Sequence, residues 1–297
     1  MENASLSAPV NSPSGISGSA NVLSEVTTSL PSFNKVDEKD ALVKKIQIWI
    51  VTQPQLNART DIVYLLRFLR GCKYDVEKTK RKIANFYTIR AKAPEWFLDR
   101  DPLLPAIQEM LNMGVFLPLH NRDHEGRLVV VIRAAVHNPN FHLQSDVLKV
   151  GKMILDLVLE EDESVPVKGV VAIIDLQGVS LGHALQLTPA VIKKAVHTWQ
   201  DCYPVSPKRL DFINAPMYVN VVLNVFRKFM KDKMRKRVYV HSGHLNNLHK
   251  EVPKSILPKE YGGSDGCVSE LTEYWKQKTI ASREWFIEDE KYKAFVE

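Results

Sequence analysis

The sequence has few cysteines, and their placement suits neither a disulfide framework nor a metal site. Cys72, Cys202 and Cys267 lie far apart, their number is odd, and no Cys-x-x-Cys pair occurs. A disulfide framework is therefore not expected. Because free cysteines are usual where thiols are kept reduced, a cytoplasmic protein is the simplest expectation.

Signals for membrane insertion and targeting are also missing. No apolar run approaches the ~20 residues that a membrane-spanning helix needs. The amino terminus lacks the basic and apolar regions of a secretory signal, and no Lys or Arg precedes Lys35, unlike in a mitochondrial transit peptide. Glu2 stands where N-myristoylation requires glycine. Residues 1–34 are instead rich in Ser, Asn, Pro and Gly, which predicts a disordered tail.

Motifs for catalysis and nucleotide binding are absent from the sequence. It contains no phosphate-binding loop, dinucleotide fingerprint or Gly-x-Ser-x-Gly elbow. His241, His244 and His249 are closely spaced, but a metal site would need more partners than one nearby glutamate. We interpret His241 as a strand-end residue bonded to backbone, and Asp175 as a carboxylate satisfied by backbone N–H groups. The sequence therefore predicts no catalytic residues, no metal and no cofactor.

The composition is that of a globular protein with an anionic partner. The 297 residues include 45% hydrophobic and 25% charged residues, and the net charge is +6. Phospholipid headgroups and nucleic acid both fit this charge. Nucleic acid is disfavoured because the basic run at 231–237 has no aromatic residues between its charges.

Periodicity separates a helical amino-terminal part from an α/β part. Apolar residues recur at helical spacing up to about residue 92, with Asp75 and either Thr60 or Asp61 as helix caps. Beyond residue 112, β-like runs alternate with helical ones, which predicts a largely parallel mixed sheet flanked by helices. The predicted divisions are a tail at 1–34, a helical bundle at 35–93, a connector at 94–111, the α/β domain at 112–265 and a helical tail at 266–297.

The most unusual segment, residues 211–243, runs from strand to helix to strand. Pro216 suits the first position of a helix, and from 217 to 226 only Asn220 and Asn224 are polar. A helix that is apolar nearly all round must bury both sides, one on protein and the other on a ligand, a partner or a membrane surface. An ordinary core helix with a solvated basic end is the alternative, and the pattern alone does not decide between them.

Four segments, in order along the chain, resemble one family. They are Leu-Leu-Arg-Phe-Leu-Arg-Gly-Cys-Lys-Tyr-Asp at 65–75, Val-Val-Ala-Ile-Ile-Asp-Leu-Gln-Gly at 170–178, Asp-Phe-Ile-Asn-Ala-Pro at 211–216 and Leu-Pro-Lys-Glu-Tyr-Gly-Gly at 257–263. The set resembles the CRAL-TRIO lipid-transfer proteins, and within them the animal branch that contains the tocopherol-transfer and cellular retinaldehyde-binding proteins. The resemblance implies an N-terminal helical bundle, a mixed sheet flanked by helices, and a mobile lid helix over a hydrophobic pocket.

The resemblance also implies which residues bind. The matching pocket positions are Leu148, Gly151, Leu155, Ala195, Trp199, Tyr203, Leu210, Phe212, Val222, Phe226 and Met230. Tocopherol carriers resemble one another in having serine at the positions of Gly151 and Leu155, so this pocket is expected to be drier. For a phosphoinositide headgroup the implied residues are Lys208, Lys233 and Arg237, with Arg209 as a substitute because Ser206 stands at the fourth position.

The function that the resemblance implies is that of a carrier without enzymatic activity. Such a protein holds one hydrophobic molecule under the lid, works as a cytoplasmic monomer and associates reversibly with anionic membranes. Retinoid, tocopherol, carotenoid and phospholipid ligands all stay open. The alternatives are an adaptor that binds membrane or protein without carrying a ligand and, more remotely, an α/β enzyme.

Overall fold

The computed structural model describes residues 35–241 and 245–295, so the predicted tail at 1–34 and His244 lie outside the described residues. The first helices are α1 (Lys35–Val51), α2 (Ile62–Gly71), α3 (Val76–Lys92), α4 (Pro94–Phe97) and α5 (Pro105–Met113). Asp61 and Asp75 cap α2 and α3, because their carboxylates accept backbone N–H groups at 3.0 and 2.9 Å. The helical amino-terminal part thus follows from caps that are readable in the sequence.

The sheet is mixed and largely parallel, as predicted. Its strands are β1 (Phe116–Pro118), β2 (Leu128–Arg133), β3 (Val170–Asp175), β4 (Pro207–Ile213) and β5 (Val238–Val240). They lie side by side in chain order, and only the β1–β2 pair is antiparallel among the described strands. β2 and β3 are continuous apolar runs, which is typical of parallel strands covered on both faces.

Helices cover both faces of this sheet. They are α6 (Gln144–Glu161), α7 (Val165–Lys168), α8 (Leu181–Gln186), α9 (Pro189–His197), α10 (Val219–Phe229), α11 (Asp232–Arg235), α12 (Asn246–Glu251), α13 (Val268–Ala281) and α14 (Arg283–Asp289). A π-helical turn, Thr198–Cys202, extends α9, and short 3₁₀ turns occupy Lys254–Ile256 and Lys259–Tyr261.

The start of α10 differs from the prediction. Pro216 precedes the helix, which begins at Val219, because a tight turn comes first: the Val219 N–H donates to the Pro216 carbonyl at 2.9 Å. Asn214 opens this turn in the left-handed region at φ 51°. The turn brings Tyr218 to the helix start, where its hydroxyl reaches another element of the domain.

The amino-terminal helices are fastened to the rest of the chain by close packing and by buried charges. Gly71 lies so near the following domain that a Cβ atom there would be 2.3 Å from the Pro204 carbonyl oxygen. Arg100 is fully buried and pairs with Asp156 of α6 and with Asp289 of α14. Arg90 of α3 pairs with the same Asp289 carboxylate at 2.8 Å. These pairs join the amino-terminal helices, α6 and α14 in one core.

Candidate functional site

An apolar cavity of about 250 Å³ lies between one face of the sheet and the helices α6, α8, α9 and α10. Alternate residues of neighbouring strands form its floor, among them Ile132, Ile174 and Phe212. This follows from the two-residue period of a strand, which points every second side chain to the same face. The strand pattern therefore builds a continuous apolar surface beneath α10.

One face of α10 covers the cavity. The residues that line the cavity from α10 and its carboxyl end are Val219, Val222, Leu223, Phe226 and Met230, at spacings of three and four. On the outer side Val221 is exposed, as is Met217 just before the helix. The expectation that both sides of this helix are buried is thus met on the cavity side only.

Most of the residues predicted to line the pocket do line this cavity. They are Leu148, Ala195, Trp199, Leu210, Phe212, Val222, Phe226 and Met230. They come from α6, α9, the π-helical turn, β4 and α10, so distant parts of the sequence meet around one space.

Gly151, Leu155 and Tyr203 do not line the cavity. Leu155 follows Leu148 by seven residues, which is ~10 Å along a helix axis, and there it is buried in the main core. At Gly151 a Cβ atom would lie 3.3 Å from the Phe116 ring, so this position packs on β1. Tyr203 packs edge-on against Phe86 at 5.2 Å between ring centroids. The cavity reaches only the amino-terminal end of α6, which the sequence pattern does not reveal.

α8 contributes a wall that the sequence reading did not anticipate. His183, Ala184 and Leu187 line the cavity from this helix and its carboxyl end. The helix begins with a capping box in which Ser180 is the first partner and His183 occupies the place usually taken by Glu or Gln. A capping-box rule that accepts histidine at the third helical position would have predicted the start of α8 from the sequence.

Two polar side chains of the wall, those of His183 and Tyr218, are bonded within the protein. The His183 Nδ1 atom accepts the Ser180 N–H at 3.1 Å, which leaves Nε2 to donate to the His137 carbonyl oxygen at 3.0 Å. The Tyr218 hydroxyl donates to the Val179 carbonyl oxygen at 2.7 Å. Burial, followed by the neighbouring His183 and His142, lowers the pKa of His137 to about 4, so it is neutral near pH 7. The cavity surface is therefore mostly apolar, and Gln144 is a polar residue in its wall.

A basic cleft of about 590 Å³ adjoins the cavity, and Pro207 and Met234 line both spaces. The predicted residues Lys233 and Arg237 line the cleft. Further basic residues there are Lys78, Arg81 and Lys82 of α3 and Lys231. Basic residues along a helix, such as those of α3, are usually interpreted as a solvated face. That interpretation is wrong for Lys82, which is buried and donates to the Tyr203 carbonyl oxygen at 2.7 Å.

Lys208 and Arg209 lie at an irregularity in the pairing of β3 with β4, and their side chains have different neighbours. Burial lowers the pKa of Lys208, and the nearby Arg237 and Lys233 lower it further, so Lys208 belongs to the basic group around the cleft. Arg209 instead holds both carboxylate oxygens of Asp211 at 2.9 Å and stacks on the Tyr239 ring at 3.8 Å. Arg209 therefore does not replace the missing basic residue at Ser206.

Comparison with known proteins agrees with this architecture. Residues 112–263 match the family described as CRAL/TRIO domain, and residues 35–107 match the family described as Pinta-like, UBA domain. The chain belongs to the CRAL/TRIO family. Human alpha-tocopherol transfer protein-like is 31% identical over 80% of this chain and 68% of its own length. Clavesin-1 of Xenopus laevis is 31% identical over 75% of this chain and 67% of its own, and human clavesin-2 is 32% identical over 74% and 68%.

A solved structure shares the CRAL/TRIO fold of this chain. The crystal structure of Sfh5 superposes with a TM-score of 0.52 over 83% of this chain and 98% of Sfh5, at 14% identity. That likeness concerns the fold alone. The family assignment, together with the relatives above, supports a lipid-binding carrier.

Two other expectations concern membranes and metals. Among the described residues, no helix combines the length and apolarity that crossing a bilayer requires. The same residues hold no cluster of three His, Cys, Asp or Glu side chains suited to a metal ion. His241 follows the last residue of β5, and its backbone N–H donates to the Phe212 carbonyl oxygen at 2.8 Å, as predicted, while its ring Nε2 is bonded to an Asp211 carboxylate oxygen at 2.7 Å.

Proposed function

We propose that this CRAL/TRIO protein is a non-enzymatic carrier that holds one hydrophobic molecule beneath α10 and exchanges it at anionic membranes. The observation that carries the proposal is the apolar cavity under Phe226. Burial of about 400 Å² of apolar ligand surface would contribute about 10 kcal/mol before the costs of binding. Apolar burial is therefore the main contribution to retention of a ligand in this proposal.

The ligand class that fits best is a retinoid, a tocopherol or a similar isoprenoid lipid. The polar groups of His183 and Tyr218 are already paired within the protein, so the wall favours a molecule with little polar surface. The indole of Trp199 adds a large flat surface suited to a ring or a conjugated chain. A relative named alpha-tocopherol transfer protein-like supports the same class.

Exchange at a membrane is supported by apolar residues around α8 and α10. Leu181 and Leu185 of α8 are mostly exposed, and Met217 and Val221 are exposed at the start of α10. Val179 and Tyr218, which are bonded to each other, connect the two groups. Insertion of such side chains into the headgroup region is the usual way for a protein to lie on a membrane without spanning it. We propose a cytoplasmic monomer with reversible membrane attachment.

The basic cleft supplies the attraction to anionic lipid, and a phosphoinositide headgroup is its proposed ligand. Each Lys or Arg near an anionic surface contributes about 1 kcal/mol, so a few such residues give reversible docking and not permanent attachment. Lys233 and Arg237 line the cleft with Lys78 and Arg81 of α3, and Lys208 of β4 is near enough to Arg237 and Lys233 for their charges to lower its pKa. A cluster from three elements suits a headgroup with several phosphates better than a single charge.

The alternatives have less support. An adaptor without ligand would fill the space beneath Phe226 with side chains, whereas this protein has a cavity there. An enzyme would need a free acid, base or nucleophile. The Asp175 carboxylate accepts the Gln177 N–H, the Asn214 amide and the Tyr261 hydroxyl at 2.8–2.9 Å, so its oxygens are engaged.

Two experiments test the proposal. Organic extraction of the purified protein followed by mass spectrometry should identify one hydrophobic species at about one molecule per chain. Protein without any bound lipid that also fails to bind Nile red, a neutral apolar dye, would contradict the carrier. Binding to vesicles with a phosphatidylinositol bisphosphate, compared with phosphatidylserine vesicles of equal charge, tests the headgroup. Equal binding to the two kinds of vesicle would contradict a site for the phosphoinositide headgroup and would indicate general attraction to negative charge.

A further inference from the structure

The apolar cavity is elongated, and its two ends differ in chemistry. On the sheet its lining runs from Val170 at the start of β3 to Leu176 just beyond that strand, which is ~20 Å at the rise of a strand. At the amino end of β3 the lining residues include Pro207, Met230 and Met234. All three side chains are apolar, so this end suits a hydrocarbon tail.

The other end of the cavity lies at the carboxyl ends of the strands. Because β2, α6 and β3 form a parallel crossover, α6 runs back against the strands and begins at this end. Gln144, the first residue of α6, lines the cavity here, and so do His183 and Tyr218. Three side chains with polar groups therefore lie at one end of an otherwise apolar space.

Of these three side chains, that of Gln144 is available to a ligand. Its amide has no partner among the described hydrogen bonds, whereas the polar atoms of His183 and Tyr218 are bonded to backbone groups and to the Ser180 hydroxyl. Gln144 is half-buried. A group that can both donate and accept a hydrogen bond is therefore left in the cavity wall.

Gln186 at the end of α8 fixes the position of Gln144. The Gln144 backbone N–H donates to the Gln186 side-chain oxygen. The Gln186 amide nitrogen donates in turn to the carbonyl oxygens of Pro139 and His142, at 2.7 and 2.9 Å. Three bonds from one side chain thus hold the start of α6 and the loop before it. A group on a backbone that is already ordered loses less freedom when a ligand binds.

Trp199 is the one other lining residue, among those that the structure describes, with an N–H or O–H group in its side chain. It packs against the cluster that contains Met230 and Met234, at the opposite end. Its indole only donates, whereas the Gln144 amide can donate to a hydroxyl and accept from it. In the described part of the chain no Lys or Arg lines the cavity, so an ionised end group would be buried without a counter-charge.

We propose that the ligand is a lipid with one neutral terminal hydroxyl, which binds the Gln144 amide, and that its apolar tail extends to Met230 and Met234. Two methionines at the tail end suit tails of different length, because the side chain is unbranched and flexible. Gly151 and Leu155, at the serine positions of tocopherol carriers, do not line this cavity, so the polar contact comes from an earlier turn of α6. This inference rests on the proposed carrier function and specifies the chemistry of the molecule carried.

Displacement of Nile red by matched ligands tests the polar contact. Geranylgeraniol and geranylgeranyl methyl ether share one chain, but only the alcohol can donate a hydrogen bond. Gln144→Leu should lower the ratio of alcohol affinity to ether affinity about fivefold, as expected for the loss of one hydrogen bond. Trp199→Phe is the control at the other end and should leave the ratio unchanged. An unchanged ratio in Gln144→Leu, or a lower ratio in Trp199→Phe alone, would overturn the assignment.

Two further ligands test the charge of the end group and the direction of the tail. Geranylgeranoic acid, which is ionised at neutral pH, should displace the dye less well than the alcohol, and equal displacement would contradict a neutral end group. Geranylgeraniol with a photoreactive diazirine in its last isoprene unit should attach mainly to Val170, Met230 or Met234, as mapped by mass spectrometry of peptides. Attachment mainly to Val179 or Ala184 would place the tail at the opposite end and overturn the orientation.

The two proposals fail in different ways. If the wild-type protein yields no lipid and binds neither Nile red nor the two isoprenoid ligands, the carrier fails. If it binds both ligands but Gln144→Leu leaves their affinity ratio unchanged, the polar contact is wrong and the carrier stands. A general disturbance of the fold would weaken both ligands alike and leave the ratio as it is, so the ratio reports the contact itself.

Discussion

A charge on the cavity face of α10 should abolish ligand binding while the fold survives. Phe226 lines the cavity and is half-buried. Replacement of this side chain by aspartate removes ~1.5–3 kcal/mol of apolar burial. It also puts a polar group without a partner into an apolar space, at a further cost of ~2–7 kcal/mol. Even the lower bounds sum to about 3.5 kcal/mol, which weakens Kd about 300-fold.

Val221→Asp is the matched control for Phe226→Asp. It adds the same carboxylate to the same helix, but on the exposed side away from the cavity. Nile red titrations should therefore show loss of binding in Phe226→Asp and normal affinity in Val221→Asp. Far-ultraviolet circular dichroism and the thermal midpoint report the fold in both variants. Normal dye affinity and normal lipid stoichiometry in folded Phe226→Asp would refute the assignment of this cavity as the binding site.

Three further predictions concern the cleft and the core. Lys233→Ala combined with Arg237→Ala should slow ligand transfer to anionic vesicles about thirtyfold, at ~1 kcal/mol per charge, and leave Nile red affinity intact. Unchanged transfer would remove both residues from the membrane step. Asp289→Asn leaves Arg90 and Arg100 buried without their shared carboxylate, so denaturant titration should show a loss of ~3–5 kcal/mol. A loss below 1 kcal/mol would contradict this pairing. Gly71→Ala should lower the thermal midpoint, since its Cβ would meet the Pro204 carbonyl oxygen at 2.3 Å, and an unchanged midpoint would show that this contact yields without cost. The Asp289 carboxylate should also make the stability of the fold depend on pH. Burial alone would raise the pKa of Asp289, but Arg90 and Arg100 outweigh burial and hold it below its ordinary value. The unfolded chain then takes up the proton first, so this stabilisation is complete well above pH ~4 and falls as the pH drops further. The Asp289→Asn variant lacks this stabilisation at every pH, so its acid slope should be shallower, and equal slopes would argue against the charge network.

Much of the fold was predictable because local rules and the global fold agree. Asp75 is a cap in sequence and in structure, Asp61 is the one of the two candidates Thr60 and Asp61 that caps α2, and the apolar run at 170–175 is a covered parallel strand. The floor of the cavity also follows from strand alternation, as at Leu210 and Phe212. These features depend on neighbours in the chain, which a sequence records directly.

The residues that line the cavity and the cleft depend on how helices and strands pack on one another. Leu148 and Leu155 share one stripe of α6, yet only Leu148 lines the cavity, whereas Leu155 is buried in the main core. Lys82 looked solvated because the partner carbonyl of Tyr203 is more than a hundred residues away in sequence. Arg209 looked available for a headgroup in the sequence. In the structure, the strand places Asp211 beside it, and the Asp211 carboxylate binds its guanidinium group. Such distinctions require tertiary structure.

The central claim is that one hydrophobic molecule occupies the cavity beneath α10. The most direct measurement is a crystal structure of the protein purified without removal of lipid. The account predicts continuous density for a single elongated ligand in contact with Leu148, Trp199 and Phe226. A cavity filled by the protein's own side chains, or ligand density only at another place in the fold, would contradict it.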